Sequence, residues 1–319
     1  MKILITGICG FIGSNLSRAL INQGHDVDGI DDLSTGHLEY LPDGVGRFFK
    51  TKLAEVQPGY IGEDDRRHYD IIFHLASRKI PRHGGAKSVL LENNLTTLWA
   101  VARAVADKAR LVFASTSDIY GMNTDFHEDA GSILGPSDVS RWTYAITKLW
   151  SEQFLYSVAD ELDFVILRYF GSYGPFHSGS WTAGPQAVFI DQAIRQQPIT
   201  LHGDGQQTRC FTHIDDTVAG TLLAAFSEHT KTVFNIGNPD EEITIRDLAE
   251  KIWQMVNPDT PCPVRMIPYS KFKYQDVRRR VPDISLARDL LGFEPVVGQD
   301  EGLRRMIEWE IEKRESEGN

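Results

Sequence analysis

Lys2-Ile-Leu-Ile-Thr6 runs directly into Gly7-Ile-Cys-Gly10-Phe-Ile-Gly13, and the reading of the whole chain turns on this stretch. Its first five residues are apolar and β-branched enough for a buried strand, and too few to cross a membrane. From Phe11 to Gln23 apolar residues recur at helical spacing and stop at Gly24. A second strand, Asp26 to Ile30, ends in Asp31 and Asp32. Three glycines on their own would mark only a turn. Placed between strand and helix, with an acid at the tip of the next strand, they predict a dinucleotide site. Glycine lets the backbone turn tightly and lets the helix N-terminus approach a pyrophosphate; a carboxylate about 20 residues on accepts hydrogen bonds from the adenosine ribose. Asp31 also repels a 2′-phosphate, so NAD is expected rather than NADP. The cofactor set read from this stretch is Gly7, Gly10, Phe11, Ile12, Gly13, Asp31 and Asp32.

With 319 residues the chain has length for a full α/β domain and a smaller second one. A net charge of −11 with no offsetting Lys/Arg run argues against nucleic acid as a partner. Phosphate must then be held by local arginines and helix N-termini. Cys9, Cys210 and Cys262 are far apart and form no C-x-x-C, so neither zinc nor a disulfide framework is expected. The histidines show no H-E-x-x-H or H-x-H spacing, and no bound metal is expected. Met1-Lys2 enters the first strand at once and no run reaches about 18 apolar residues, so the expectation is a cytoplasmic protein without membrane contact.

Further along, strands are expected at Arg47–Phe49, Asp70–Ala76, Leu111–Ala114 and Phe164–Arg168, with helices from about Ser88 to Asp107 and from Trp142 to Ala159. The end of the Asp70–Ala76 strand would place Leu75, Ala76 and Ser77 beside the nicotinamide half of the cofactor, with Asn93 on the next helix. His74 reads as a packed strand-end residue rather than a catalyst. Arg78 to Gly85 is a basic, Gly/Pro-broken loop at the edge where ligands bind, equally readable as a solvated loop. From Gly171 glycine and proline mark an exit from the first domain. Helices Gln186–Gln196 and Asp215–Phe226, strand Ile199–Leu201 and the turn Gly203-Asp-Gly205 follow, then a strand Val233–Ile236 that returns to the first sheet and helices Thr244–Gln254 and Gln299–Glu312. The expected fold is α/β: a Rossmann-type doubly wound parallel sheet over 1–170 with a returning strand near 232–237, and a smaller mixed substrate-binding domain from 171–231 and 238–319.

Tyr144-Ala-Ile-Thr-Lys148 sets a phenol and an ammonium on one helical face. An ammonium and a cationic nicotinamide favour the phenolate, so the pair is expected to lower the Tyr144 pKa and let it take a hydroxyl proton as hydride leaves the carbon. Spacing alone decides nothing, since Tyr269-Ser-Lys-Phe-Lys273 repeats it. The first pair is set apart by the strand before it, which ends in Ser115-Thr116.

These parts in this order resemble an extended short-chain dehydrogenase/reductase of the nucleotide-sugar epimerase/dehydratase family. The resemblance runs through His74-Leu-Ala76, Ser115-Thr-Ser-Asp-Ile-Tyr-Gly121, Tyr144/Lys148, Arg168-Tyr-Phe-Gly-Ser-Tyr-Gly-Pro175, Gly203-Asp-Gly205 with Arg209, and Arg280-Val-Pro-Asp283. It implies Thr116, Tyr144 and Lys148 as catalytic trio, NAD as a cofactor recycled in each turnover, a nucleotide-sugar substrate with UDP favoured, and Arg209 on the nucleotide phosphates. It also implies a homodimer pairing the helices that carry Leu91, Leu95, Leu98, Leu149 and Phe154. Gly171 and Phe176 depart from the family, which usually has Asn and often Arg there. Thr116-Ser117-Asp118 is nearest to the Thr-Ser-Glu of nucleotide-glucuronate decarboxylases, one methylene short. Gly135-Pro, Arg141-Trp-Thr-Tyr144, Arg209-Cys-Phe-Thr212 and Tyr274-Gln-Asp-Val-Arg-Arg-Arg280 point the same way. In that pattern Arg280 lies near the C5 carboxylate and Ser117 is its hydrogen-bonding neighbour. The alternatives are a 4-epimerase, where Arg280 binds phosphate and Asp118 a sugar hydroxyl, and then a 4,6-dehydratase; Asp118 also reads as a simple turn acid.

Overall fold

The computed structural model describes residues 1–55, 69–79, 87–104, 109–177, 184–269 and 276–318. The first half alternates strand and helix: β1 (Lys2–Thr6), α1 (Phe11–Asn22), β2 (Asp26–Asp31), β3 (Phe48–Lys50), β4 (Ile71–His74), α2 (Lys87–Ala104), β5 (Arg110–Thr116), α3 (Trp142–Ser157) and β6 (Phe164–Tyr169). The second half has shorter strands: β7 (Ser172–Tyr173), α4 (Pro185–Ile194), β8 (Ile199–His202), β9 (Thr208–Arg209), β10 (Thr212–His213), α5 (Ile214–Phe226), β11 (Thr232–Ile236), β12 (Ile243–Thr244), α6 (Ile245–Val256), β13 (Val264–Ile267), β14 (Arg279–Arg280), α7 (Ser285–Leu291) and α8 (Gln299–Glu317).

Seven strands form one sheet in the order β3-β2-β1-β4-β5-β6-β11, every pairing parallel. This is the Rossmann-type doubly wound sheet, returning strand included. Side chains alternate across it. Ile3 and Ile5 of β1 join Leu16 and Leu20 of α1 in one core, whereas Leu4 joins Leu98 of α2 and Leu155 of α3 in the other. The strand order reverses between β1 and β4, and that reversal opens a crevice at the carboxyl edge.

The residues that follow β6 contribute to two cores. Ile214, Val218, Ala224 and Ala225 of α5 and Ala287 of α7 pack into the same core as β1. The reason is topological: β11 joins the sheet parallel to β6, so the chain needs a crossover helix over a face, and α5 supplies it. A separate core gathers Ile190 of α4, Leu201 of β8, Leu248 and Ile252 of α6, and Leu303 and Met306 of α8. Among the described residues no helix is long and apolar enough to cross a membrane, and no group of His, Cys, Asp and Glu is placed to hold a metal.

Of the five side chains expected on the pairing face of α2 and α3, Leu98 is fully buried in the protein's own core and Phe154 packs against it. The outward large apolar residues are Val89, Trp99, Ile146, Trp150 and Tyr156. Trp99 and Trp150 both lie against Phe154, at 5.2 and 5.4 Å between ring centroids.

Candidate active site

The glycine turn is built for close approach. Gly7 has φ +75°, and a Cβ there would meet the Ala76 nitrogen at 2.9 Å, because the end of β4 presses on it. A Cβ on Gly13 would stand 2.1 Å from the Gly7 carbonyl oxygen, so α1 starts where no side chain fits. Asp31, at the tip of β2, accepts hydrogen bonds from the Cys9 amide at 3.0 Å and the Leu33 amide at 2.8 Å. Burial pushes its carboxyl up, and those two amides pull it back. Asp32 accepts from the Ser34 amide and has Arg78 4.0 Å away. An open helix N-terminus, excluded side chains and a fixed carboxylate fit the pyrophosphate and ribose of a dinucleotide.

Leu75, Ala76 and Ser77 run half-buried along the crevice. Asn93 is half-buried on α2, and its neighbour Asn94 is the buried one: it bonds both backbone atoms of Arg78, at 2.8 and 3.1 Å, and reaches Thr147 of α3. His74 hydrogen-bonds Thr6 at 2.8 Å and stacks on Phe113, with burial pulling its pKa down to about 3. It is the packed strand-end residue its sequence position suggested. The basic loop is described only as far as Lys79; the rest of it, Ser270–Lys273 after Tyr269, and Tyr274-Gln275 lie outside the described residues.

Tyr144, Lys148 and Thr116 come together where α3 crosses the end of β5, all of them buried. Lys148 Nζ donates to the Ala114 carbonyl at 2.7 Å, lies 4.7 Å from the Phe113 ring centre and 6.0 Å from that of Tyr144. On the protein's own groups the Tyr144 phenol is raised: burial and the charge of Asp118 push it up, and the hydroxyls of Ser77 and Thr116 offset only part. Lys148 is pulled down to about 7 by burial, against the charge of Glu152. Both shifts favour the neutral form for the same reason, the desolvation of a closed site.

The two arginines are neighbours by strand register: β14 pairs with β9 so that Arg280 stands beside Arg209. Both line a pocket with Gly171, His202, Gln207 and Tyr269. Arg209 Nη2 lies 2.9 Å from Asp276. Arg280 Nη1 donates to Asp118 at 2.7 Å and to Ser117 Oγ at 3.4 Å, while its Nε and Nη2 are buried with no hydrogen-bond partner among the described residues. Burial would raise the Asp118 carboxyl, but Arg280 and Arg141 beside it hold it well below the usual carboxylate range. Arg141 and Asp276 carried no signal of their own, although both sit inside segments quoted above for their pattern.

The two departures have structural explanations. Gly171 has φ +54°, and a Cβ there would meet the Cys210 carbonyl and the Phe211 ring, each at 3.0 Å. Phe176 packs between Tyr40 and Trp309 with the Arg18 guanidinium 4.0 Å over its ring, so it ties α8 to α1 and brings no charge.

Known proteins are similar to this chain over nearly its whole length. UDP-N-acetyl-alpha-D-glucosaminuronate decarboxylase of Bacillus cytotoxicus is 32% identical over 315 residues, covering 97% of each protein. UDP-glucuronic acid decarboxylase 1 of Xenopus tropicalis is 32% identical over 330 residues, 100% of this chain and 74% of that protein. Among solved structures, UDP-glucuronic acid 4-epimerase of Bacillus cereus, in complex with UDP-glucuronic acid and NAD, superposes with a TM-score of 0.85 at 27% identity, covering 98% of this chain and 100% of that one. UDP-glucose 4-epimerase of Thermotoga maritima, with UDP-glucose, gives 0.84 at 28% identity and covers 98% and 99%. Residues 3–237, from β1 through the returning strand, match the profile that defines such enzymes, and the chain belongs to the NAD dependent epimerase/dehydratase family.

Proposed function

We propose that this chain is a UDP-uronate decarboxylase, with UDP-glucuronate as the first substrate to try. The observation that carries the reading is the open edge of Arg280. Its Nη1 is engaged by Asp118, and its Nε and Nη2 form a buried fork beside the pocket with no partner among the described residues. Two parallel donors suit a carboxylate far better than a hydroxymethyl group, and burying them unpaired is costly. The decarboxylase relatives support the same choice.

NAD supplies the hydride acceptor for C4 and returns the same hydride, so the cycle has no net oxidation. Tyr144, with Thr116 and Lys148 around it, takes the 4-hydroxyl proton. With a ketone at C4, the C5 carboxylate belongs to a β-keto acid. The C5–CO2 bond breaks, its electron pair enters the C4–C5 enolate, and C5 takes a proton. Arg280 and Ser117 hold the carboxylate, and Arg209 the diphosphate. Asp31 and the turn Gly7, Gly10, Phe11, Ile12 and Gly13 hold the cofactor, with Asp32, Leu75, Ala76, Ser77 and Asn93 along its path.

A second reading, 4-epimerisation of the same uronate, is favoured by Asp118: it is shorter than the family's Glu and bound in an ion pair. The test is incubation of purified protein with UDP-glucuronate and no added NAD. CO2 and a pentose nucleotide are expected; a retained carboxylate with C4 inverted would replace decarboxylation by epimerisation.

We also assign NAD binding to the seven-stranded sheet with α5 and α7, and the nucleotide sugar to the smaller sheets around β9 and β14. The free cysteines suit a reducing compartment, and the cytoplasm is our assignment. The Trp99, Phe154 and Trp150 row supports a homodimer through α2 and α3. Sedimentation at the 35.9 kDa of one chain at micromolar concentration would rule that pairing out.

A further inference from the structure

Two side chains one turn apart on α3 grip two consecutive residues of β5. Lys148 Nζ donates to the Ala114 carbonyl at 2.7 Å, and the Glu152 carboxylate accepts from the hydroxyl of Ser115, the residue before Thr116. Glu152 is itself clamped. Arg168 stands beside Ser115 in the register of β6 on β5, and it reaches Glu152 with two parallel bonds, Nε to Oε1 at 3.2 Å and Nη2 to Oε2 at 2.7 Å. Its Nη1 donates to the Tyr120 hydroxyl at 2.9 Å and to the Glu128 carbonyl at 2.8 Å. Tyr120 donates in turn to Asn235 of β11, and Asn235 to the Asp283 carbonyl, each at 2.8 Å. Lys148, Glu152, Ser115, Arg168, Tyr120 and Asn235 are all buried.

Three donors converge on Glu152 and fix its carboxylate in one orientation. A buried ion pair adds little net stability, because desolvation offsets the attraction, so stability alone does not account for this one. What the clamp does supply is a negative charge held one helical turn from an ammonium that the closed site strips of water. We propose that Glu152 is a positioning residue that acts through Lys148, as the fixed counter-charge that keeps its ammonium in the charged form, with Arg168 and Ser115 holding the carboxylate in place. Burial pulls Lys148 down, Glu152 opposes that, and Lys79 after β4 adds to the loss. His74 of β4 brings no charge at neutral pH, being held at about 3, and Tyr144, one turn before Lys148, keeps its proton under the charge of Asp118. The role rests on C4 oxidation by Tyr144 and Lys148, a step that decarboxylation and 4-epimerisation share, and does not depend on what happens to the sugar carboxylate.

The test is an NMR titration of NAD-loaded protein labelled with carbon-13 at the lysine ε-carbons, whose shifts follow protonation; the Lys148 signal is the one lost in Lys148→Arg. In the parent it should titrate at about 7, apart from exposed lysines at about 10.4. Glu152→Gln keeps the size of the side chain and an acceptor for Ser115, and it is expected to lower the Lys148 midpoint by about one pH unit. The alkaline limb of the pH profile for UDP-glucuronate consumption should move down with it. Because Glu152→Gln alone leaves the Arg168 cation buried without its partner, Glu152→Gln with Arg168→Met goes through the same measurements and is expected to shift in the same direction. A Lys148 midpoint that stays in place in both variants, whatever their melting temperatures, marks a merely structural ion pair and overturns the proposal; so does a midpoint that moves while the alkaline limb does not. If the parent consumes no UDP-glucuronate at any pH, the substrate reading fails, and the lysine titration still decides whether Glu152 is the counter-charge.

Discussion

Arg280→Lys separates a carboxylate anchor from a phosphate contact. The guanidinium holds Asp118 with Nη1 and leaves Nε and Nη2 as a two-donor edge. Lysine keeps the charge but offers a single ammonium, which cannot bind Asp118 at that geometry and also present two parallel donors. At least one charge-assisted hydrogen bond to the substrate is lost, worth about 1.5–3 kcal/mol. At about 1.4 kcal/mol per factor of ten, kcat/KM for CO2 release from UDP-glucuronate should fall by about 10- to 150-fold. The inhibition constant of UDP, which carries the phosphates without the carboxylate, should move less than about threefold on the same reasoning. The assay is the initial rate of CO2 release with UDP as competitor. If the UDP constant rises as far as kcat/KM falls, Arg280 serves the phosphates and the anchor argument is wrong.

Tyr144→Phe should cut turnover by about 10²- to 10⁴-fold, the range of a general base, while bound NAD measured after denaturation stays at the parental level; comparable turnover would remove Tyr144 from the mechanism. Gly13→Ala places a methyl 2.1 Å from the Gly7 carbonyl, so the melting temperature should drop by the equivalent of about 1–3 kcal/mol and NAD should be lost on purification. Parental melting and NAD content in that variant would show the turn to be looser than its geometry implies. His74 and His177 are held by burial at about 3 against an ordinary 6.5. Both are neutral in the folded chain near pH 7, and the unfolded chain gains their protons as pH falls through 6.5. Stability from this source is complete above about pH 7 and is lost between 6.5 and 3, by up to about 1.4 kcal/mol per pH unit for each. Melting curves from pH 7.5 to 5 should show that loss and His74→Asn should reduce it; identical slopes in parent and variant would refute the assignment.

What could be read from the sequence was local. The glycine turn, α1 and Asp31 lie within one short stretch, and the steric demand at Gly7 and Gly13 leaves a mark in the chain itself. The inward face of α2 was not picked out: the sequence reading named Asn93 and grouped Leu91 and Leu95 with Leu98, whereas the buried residues at helical spacing are Leu90, Asn94, Thr97, Leu98 and Val101, and it is Asn94 that bonds the loop. The strands β7, β9, β10, β12 and β14 were not legible, because two residues carry no period. The pairing of Arg209 with Arg280 depends on their register, and the Arg141–Asp276 contact closes 135 residues of chain.

The Tyr144 phenol shows a different limit. Its spacing to Lys148 was plain in the sequence, but the expectation of a lowered pKa counted the ammonium and a cationic nicotinamide and left out burial, which on the protein's own groups raises the phenol. Lys148 is brought to about 7 by the same desolvation that raises the phenol, so the ammonium meant to activate the base is itself only partly charged near neutral pH. On this chain's groups alone Tyr144 stays protonated, with Asp118 adding to that tendency. Proton removal from the sugar then requires positive charge brought into the site beside the phenol. A cationic nicotinamide beside the phenol would supply that charge.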